Sequence, residues 1–176
     1  MKRTEALAIL SRDHHQALFV AHRLRRATAE TVREERRRFL DFWLRDGRRH
    51  FRLEEELLLP AYAVHGDAHH PLVLQVLGDH VAIRAQADQL ARAPDPNPDR
   101  LHDLGATLSE HVRLEERQLF AVIEAAIPAD ELLDLAHALE RTERSDELDE
   151  SRFMIQESLH HGRPEGPPRP VRRDRG

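Results

Sequence analysis

The stretches His50-Phe-Arg-Leu-Glu-Glu-Glu-Leu-Leu-Leu-Pro60 and His111-Val-Arg-Leu-Glu-Glu-Arg-Gln-Leu-Phe-Ala121 agree at six of their eleven positions. Each places a glutamate four residues after a histidine, His50 to Glu54 and His111 to Glu115. On a helix that spacing stacks both side chains on one face, about one turn apart. An imidazole and a carboxylate so placed can reach one metal ion together. Upstream of each copy stands an Asp-His pair, Asp13-His14 and Asp79-His80. The chain therefore reads as Asp-His followed by His-x-x-x-Glu, written twice.

Helical periodicity surrounds these motifs. The apolar stripes are Leu7, Leu10, His14, Ala17, Ala21, Leu24; then Phe39, Trp43, His50, Leu53, Leu57, Ala61, Val64; then Val73, Val76, His80, Ile83, Ala87, Leu90; then Leu104, Leu108, His111, Leu114, Val122. Each has a period near 3.6 and carries one histidine inside its apolar face. No segment alternates as a strand does.

Breaks fall where bundle loops belong. Thr28 or Thr31 is a cap for the second helix. His65 to Pro71 contains a glycine and a proline, so it is a turn. Three alternating prolines from Pro94 to Pro98 forbid helix there. Pro128 ends the fourth helix, and Asp130 to Arg141 reads as a shorter fifth.

The expected fold is all-α: an antiparallel up-down-up-down four-helix bundle with a short fifth helix and a disordered C-terminal tail. Residues 1–143 form the bundle domain and 144–176 a partly disordered extension. A short helix near Ser151 to Leu159 is allowed, and GRPEGPPRPVRRDRG cannot form a core. His14 to His80 spans 66 positions and His50 to His111 spans 61. The repeat thus predicts two pseudo-equivalent hairpins, 5–65 and 70–126.

Composition narrows the function. A chain of 176 residues is one domain plus a tail. No apolar run is long enough to span a membrane, and the N-terminus lacks a secretory signal. Cysteine is absent, which excludes disulfides, thiolate ligands and iron–sulfur clusters and fits a cytoplasmic protein. Net charge is −5 with the signs interspersed, and three arginines in PVRRDRG do not make a nucleic-acid surface. Thirteen histidines are the outlier; His65, His69, His70, His160 and His161 read as surface residues.

One histidine on an apolar stripe is usually a half-buried imidazole with a local hydrogen bond. Four of them, one per long helix, with Glu54 and Glu115 one turn on, are a different matter. Buried ionised carboxylates each cost several kcal/mol unless paired. Two divalent cations bridged by Glu54 and Glu115 and held by His14, His50, His80 and His111 satisfy all six groups at once. Imidazole and carboxylate without thiolate suit iron, zinc, manganese or cobalt. The ferritin-like di-iron pattern has Glu-x-x-His, a different step in the opposite order.

In this order on four successive helices, the motifs resemble the hemerythrin HHE cation-binding family over about residues 5–126. That resemblance implies two iron ions in a non-haem di-iron centre with an oxo or hydroxo bridge. His14 and His50 would bind one iron and His80 and His111 the other, with Glu54 and Glu115 bridging. It further implies a small ligand such as dioxygen, peroxide or nitric oxide, and a role in carrying, storing or sensing oxygen, or in sensing iron.

Two departures stand out. The oxygen carriers of the family have His-x-x-x-His on the third helix, whereas Val76 and Arg84 flank His80 at four residues. They also have an aspartate five residues after the fourth-helix histidine, where this chain offers Glu115 at four and Glu116 at five. Glu115 continues the inward stripe and mirrors Glu54; Glu55 and Glu116 are then solvated or orient a histidine. His15 competes with His14, which lies on the stripe and matches His80. Gly47 leaves space for a channel or a close helix contact, and Trp43 and Tyr62 read as core aromatics. Binding or sensing, redox turnover of peroxide or nitric oxide, and a metal-stabilised interaction module are the three functions this pattern allows.

Overall fold

A computed structural model describes residues 4–95 and 97–161, with side chains as far as Ser145. The described residues contain helices and no strand. Helix α1 is Glu5–Leu24, α2 covers 32–65, α3 is Pro71–Arg92, α4 covers 98–126 and α5 is Ala129–His161. Helices α1 to α4 form the antiparallel bundle, each packed on its neighbours round the ring, α1 on α4 and α3 on α4 most extensively. No helix among the described residues is long and apolar enough to cross a membrane.

Local chemistry fixes the ends. Pro71 and Pro98 open α3 and α4, where a missing N–H is harmless. The Asn97 side chain accepts from the Asp99 N–H at 2.9 Å, and the His70 ring accepts from the Leu72 N–H at 3.2 Å. Thr31 stands at the cap of α2, but its hydroxyl accepts from the Thr28 N–H instead of a helix amide. Buried Glu35 ties α2 back to α1 through a two-pronged ion pair with Arg23, at 2.8 and 2.5 Å.

Helices α2 and α4 are not regular. Three wide π turns interrupt them, at Trp43–Gly47, Glu54–Leu58 and Glu115–Leu119. Past each one an amide donates to the carbonyl five residues back: Arg48 to Trp43, Leu59 to Glu54, Phe120 to Glu115. A π turn holds one extra residue, so the downstream face rotates. The expected stripe Leu57, Ala61, Val64 shifts accordingly: Leu57 and Ala61 stay partly buried at the edge of the core. Leu58, Leu59 and Tyr62 are buried, while Val64 is 75% exposed. In α4 the same slip moves the buried position from Val122 to Ile123.

The core divides into two apolar clusters. One joins Leu7, Leu10, Leu58, Tyr62, Val76, Phe120 and Ile123 with Leu132, Leu135 and Leu139 of α5. The other joins Ala21, Leu24, Phe39, Trp43, Phe51, Ile83, Leu101 and Leu104. On α1 and α3 the motif histidine falls between the two clusters in sequence, whereas His50 and His111 sit at the edge of the second, beside Phe51 and Val112.

Helix α5 runs further than the expected 130–141. Between Arg141 and His161 there is neither glycine nor proline, and charge density alone does not stop a helix. The short helix expected at 151–159 falls inside it. The chain divides into two compact units that part between Arg141 and Thr142. The tail from 162 onward lies outside the described residues, as do the side chains of His160 and His161.

Gly105 sets how closely α1 and α4 approach. A Cβ there would sit 2.7 Å from the Ala21 carbonyl oxygen and 2.9 Å from the Leu24 Cβ. Backbone cannot yield as a flexible side chain does, so Gly105→Ala is expected to cost about 1–3 kcal/mol. Denaturant titration of the variant beside the parent measures it; an unchanged midpoint would show that the two helices part freely.

Candidate metal centre

Six polar side chains point into the layer between the apolar clusters. His14, His50, His80, His111, Glu54 and Glu115 are 0 to 6% exposed. Each of the four helices contributes one histidine, and α2 and α4 add the glutamates at the first residue of a π turn. Such turns occur frequently at functional sites. Every imidazole presents Nε2 inward. His50 Nε2 lies 3.3 Å from Glu54 Oε1, and His80 Nε2 lies 3.2 Å from Glu54 Oε2. Glu115 Oε2 is 3.1 Å from His14 Nε2 and 3.3 Å from His111 Nε2. Thus both carboxylates face both histidine pairs.

The six groups form two overlapping sets, His14–His50–Glu54–Glu115 and Glu54–His80–His111–Glu115. Within each set the candidate ligand atoms lie within 4.8 Å of one another. His14 Nε2 and His50 Nε2 stand 3.0 Å apart, the separation of two nitrogens each about 2.1 Å from one ion at right angles. All four oxygens of Glu54 and Glu115, and Nε2 of His80 and of His111, lack a hydrogen-bond partner among the described residues. Buried polar atoms are rarely left so. A cation in each set supplies what is missing, so the residues present fit a pair of metal ions.

A second ring of carboxylates holds the imidazoles by Nδ1. His14 donates to Glu116 at 2.8 Å, His50 to Asp13 at 3.2 Å and His80 to Glu55 at 2.7 Å. His111 Nδ1 is 3.7 Å from Asp79, beyond a direct hydrogen bond. An accepting carboxylate keeps the proton on Nδ1 and leaves the Nε2 lone pair inward, the tautomer a metal needs. The doublets Asp13-His14, Glu54-Glu55, Asp79-His80 and Glu115-Glu116 thereby acquire a meaning. One member of each faces inward; the other braces a histidine on a neighbouring helix in three of the four, and Asp79 stands near His111 without bonding it.

In each of the two adjacent pairs, His14-His15 and Glu115-Glu116, one residue faces inward and the other does not. Glu115 faces inward, while Glu116 is partly exposed, braces His14 and accepts the Ser11 hydroxyl at 2.6 Å. His15 is exposed, with its ring on the Ser11 carbonyl. Ser11 and Arg84 were not among the sequence candidates; no motif marks them. Arg84 grips both oxygens of Glu55, at 2.6 and 3.0 Å. Buried Glu35 belongs to Arg23 and lies outside the centre.

This chain belongs to the hemerythrin HHE cation-binding family. The family's hemerythrin HHE cation binding domain matches residues 5–123, from the start of α1 into the last turns of α4. No curated protein and no solved structure matches the chain. At the third-helix positions where oxygen-carrying hemerythrins place a further histidine, Val76 packs in the apolar core and Arg84 turns to Glu55. The two halves of this hemerythrin centre consequently hold equal donor sets, two imidazoles and two shared carboxylates each.

Aromatic rings and a small cavity distinguish the halves. Phe51 stacks on His80 with centroids 3.7 Å apart, and Phe120 stacks on His14 at 5.4 Å. A cavity of about 20 Å³ touches His14, His50 and His111, walled by Ala17, Phe42, Trp43, Gly47 and Phe51. The pseudo-equivalents of Ala17 and Gly47 are Ile83 and Leu108. Small residues on one side and large ones on the other leave space beside the His14–His50 pair. Gly47 is needed because its missing Cβ would stand 2.6 Å from the Trp43 ring. The contact it allows is therefore with a side chain of its own helix.

The electrostatics express the surplus of carboxylates. Burial by itself pushes His50 down, but the charge of Glu54 and the Asp13 carboxylate outweigh it and hold the imidazole well above 6.5. His14 and His80 are likewise raised against burial, by Glu115 and Glu116 and by Glu54 respectively. Glu54 is held well below 4.5 against its own burial, chiefly by His50. Without metal, protons on the imidazoles do the work of cations.

Raised histidines stabilise the metal-free fold fully below pH 6.5, and that contribution fades as pH rises through their folded values. Depressed Glu54 acts in the opposite sense, stabilising above pH 4.5 and failing as pH falls through its folded value. Metal-free protein should therefore melt lower at about pH 8.5 than at about pH 5.5. Metal-loaded protein should show the reverse, because ligands must be deprotonated to bind. Parallel melting curves for the two forms would sink this account. Glu116→Ala, which frees His14 Nδ1, is expected to weaken metal binding about 10–100-fold, read by competition with a chelator.

Proposed function

We propose that this protein is a non-haem di-iron protein that binds or senses dioxygen or a related small ligand. His14 and His50 hold one iron, His80 and His111 the other, and Glu54 and Glu115 bridge them. The observation that carries this reading is the set of four buried carboxylate oxygens, without a hydrogen bond among the described residues, that face four inward Nε2 atoms. Iron supplies reversible one-electron chemistry and affinity for small oxygen and nitrogen ligands. Two nitrogens and two carboxylates complete a tetrahedral ion but leave an iron, which takes more ligands, with open positions.

The chain's own residues do the rest. Asp13, Glu55 and Glu116 fix three of the imidazoles. Phe51, Phe120 and Trp43 exclude bulk water. The cavity beside His14 and His50 has room for about one water-sized ligand and none for an organic substrate, which supports dioxygen, peroxide or nitric oxide as the ligand class. Its position favours the His14–His50 side as the place of ligand binding.

Redox turnover of peroxide is a second reading. It draws on the same donor set and on the same cavity, whose wall is almost wholly apolar.

Metal analysis of aerobically purified protein beside its optical spectrum tests the reading. About two irons per chain and a charge-transfer absorption are expected of a dinuclear iron site. Zinc with no visible absorption would leave a purely structural centre and overturn it. Ala17→Ile, which copies the other half of the repeat, should keep the iron and weaken small-ligand binding about tenfold or more. Consumption of added peroxide over many cycles would select the second reading.

A further inference from the structure

The ion pair of Arg84 and Glu55 stands directly behind His80, and no motif calls for it. Arg84 lies four residues after His80 on α3, so both side chains leave the same face of that helix. Its guanidinium grips Glu55 of α2 with two arms, Nη1 to Oε1 at 2.6 Å and Nη2 to Oε2 at 3.0 Å. The oxygen taking the shorter contact is the same Oε1 that accepts from His80 Nδ1, at 2.7 Å. A second route leads to the same imidazole. Arg84 lies over the Phe51 ring, 5.4 Å from its centroid, and Phe51 stacks on His80 at 3.7 Å with the planes 12° apart. The repeat does not demand this residue: the equivalent position on α1, four after His14, is Leu18.

A carboxylate on Nδ1–H fixes the ring and makes the imidazole a stronger electron donor through Nε2. Stronger donation stabilises ferric iron more than ferrous iron, because the higher charge gains more from it. A guanidinium bound to that carboxylate draws off part of its charge and so lessens the donation. Glu55 keeps its hold on the ring meanwhile, so orientation is retained and only the electronic push is reduced. The Arg84 and Glu55 side chains are 38 and 28% exposed, and solvent therefore moderates the effect without cancelling it.

Resting on the di-iron reading above, we propose that Arg84 is a positioning residue that biases the iron at His80 and His111 toward its ferrous state, acting through Glu55. Dioxygen is a ligand for ferrous iron and not for ferric iron, so this bias suits binding or sensing. A reduction potential reads the ratio of the affinities for the two oxidation states. Simple loosening of His80 weakens both affinities and largely cancels in that ratio, whereas a change of charge on the brace does not.

Redox titration of the iron-loaded full chain tests this, with dithionite giving one electron to each ferric ion and ferricyanide removing it again. Iron content is measured first. In Arg84→Gln the ferric-to-ferrous ratio at a fixed applied potential should rise about tenfold, a fall of about 59 mV for a one-electron step. Glu55→Gln removes the carboxylate charge and leaves the arginine, so the ratio should move the opposite way by a similar factor. Both variants break the same ion pair, and both should melt lower than the parent. A pair that only ties α2 to α3 would shift the ratio in the same direction in both variants, and that result overturns the proposal. Arg84→Lys keeps the positive charge and should stay within about threefold of the parental ratio; a lysine variant that behaves as Arg84→Gln does also overturns it. A parent that takes up no iron sinks the di-iron reading together with this role for Arg84. Two irons per chain and a potential indifferent to Arg84→Gln sink the role of Arg84 alone.

Discussion

Everything in this bundle answers to the burial of two carboxylates in an apolar interior. Glu54 and Glu115 are out of water, and among the described residues their oxygens have imidazole nitrogens near them but no hydrogen bond. Isolated, each would be strongly destabilising. Four imidazoles crowd in, and four further carboxylates stand behind those imidazoles. The result is a polar layer between two apolar clusters, whose charge closes only with cations or with protons in their place. Metal binding and folding are therefore one problem in this chain.

A duplicated hairpin is an economical way to build such a layer, since a cation pair needs the same donors twice. The duplication reaches beyond the donors to their supports. Asp13 and Asp79 are equivalent positions and face equivalent histidines, as do Glu55 and Glu116. Yet the copies differ where function needs a difference. Ala17 and Gly47 stand against Ile83 and Leu108, and a cavity opens beside His14 and His50. The repeat keeps the six donors and departs from itself in the residues around them.

Much of the fold was legible because helix period, proline punctuation and capping chemistry are local. The four long helices follow from them, and so does the convergence of His14, His50, His80 and His111, since each sits mid-stripe. The stripes failed downstream of Glu54 and Glu115. There one extra residue in a π turn rotates the buried face from Leu57 and Ala61 to Leu58 and Tyr62, and periodicity alone cannot register a change of pitch. Helix α5 was read too short because charge density was taken for a stop signal, which a run of good helix formers without glycine or proline does not obey. The grip of Arg84 on Glu55 and the hydroxyl of Ser11 on Glu116 carried no motif. Such contacts join residues far apart in the chain and depend on helix rotation.

The sequence by itself determined the helices, the duplication and which residue types face inward, because spacing along one helix fixes a shared face. Only the tertiary structure decided that Glu115 rather than Glu116 turns inward, which carboxylate braces which histidine, and that space opens beside His14 and His50. Those outcomes depend on the pitch of α2 and α4 and on the distance between helices. Both arise from packing of the whole bundle and from no single segment of it.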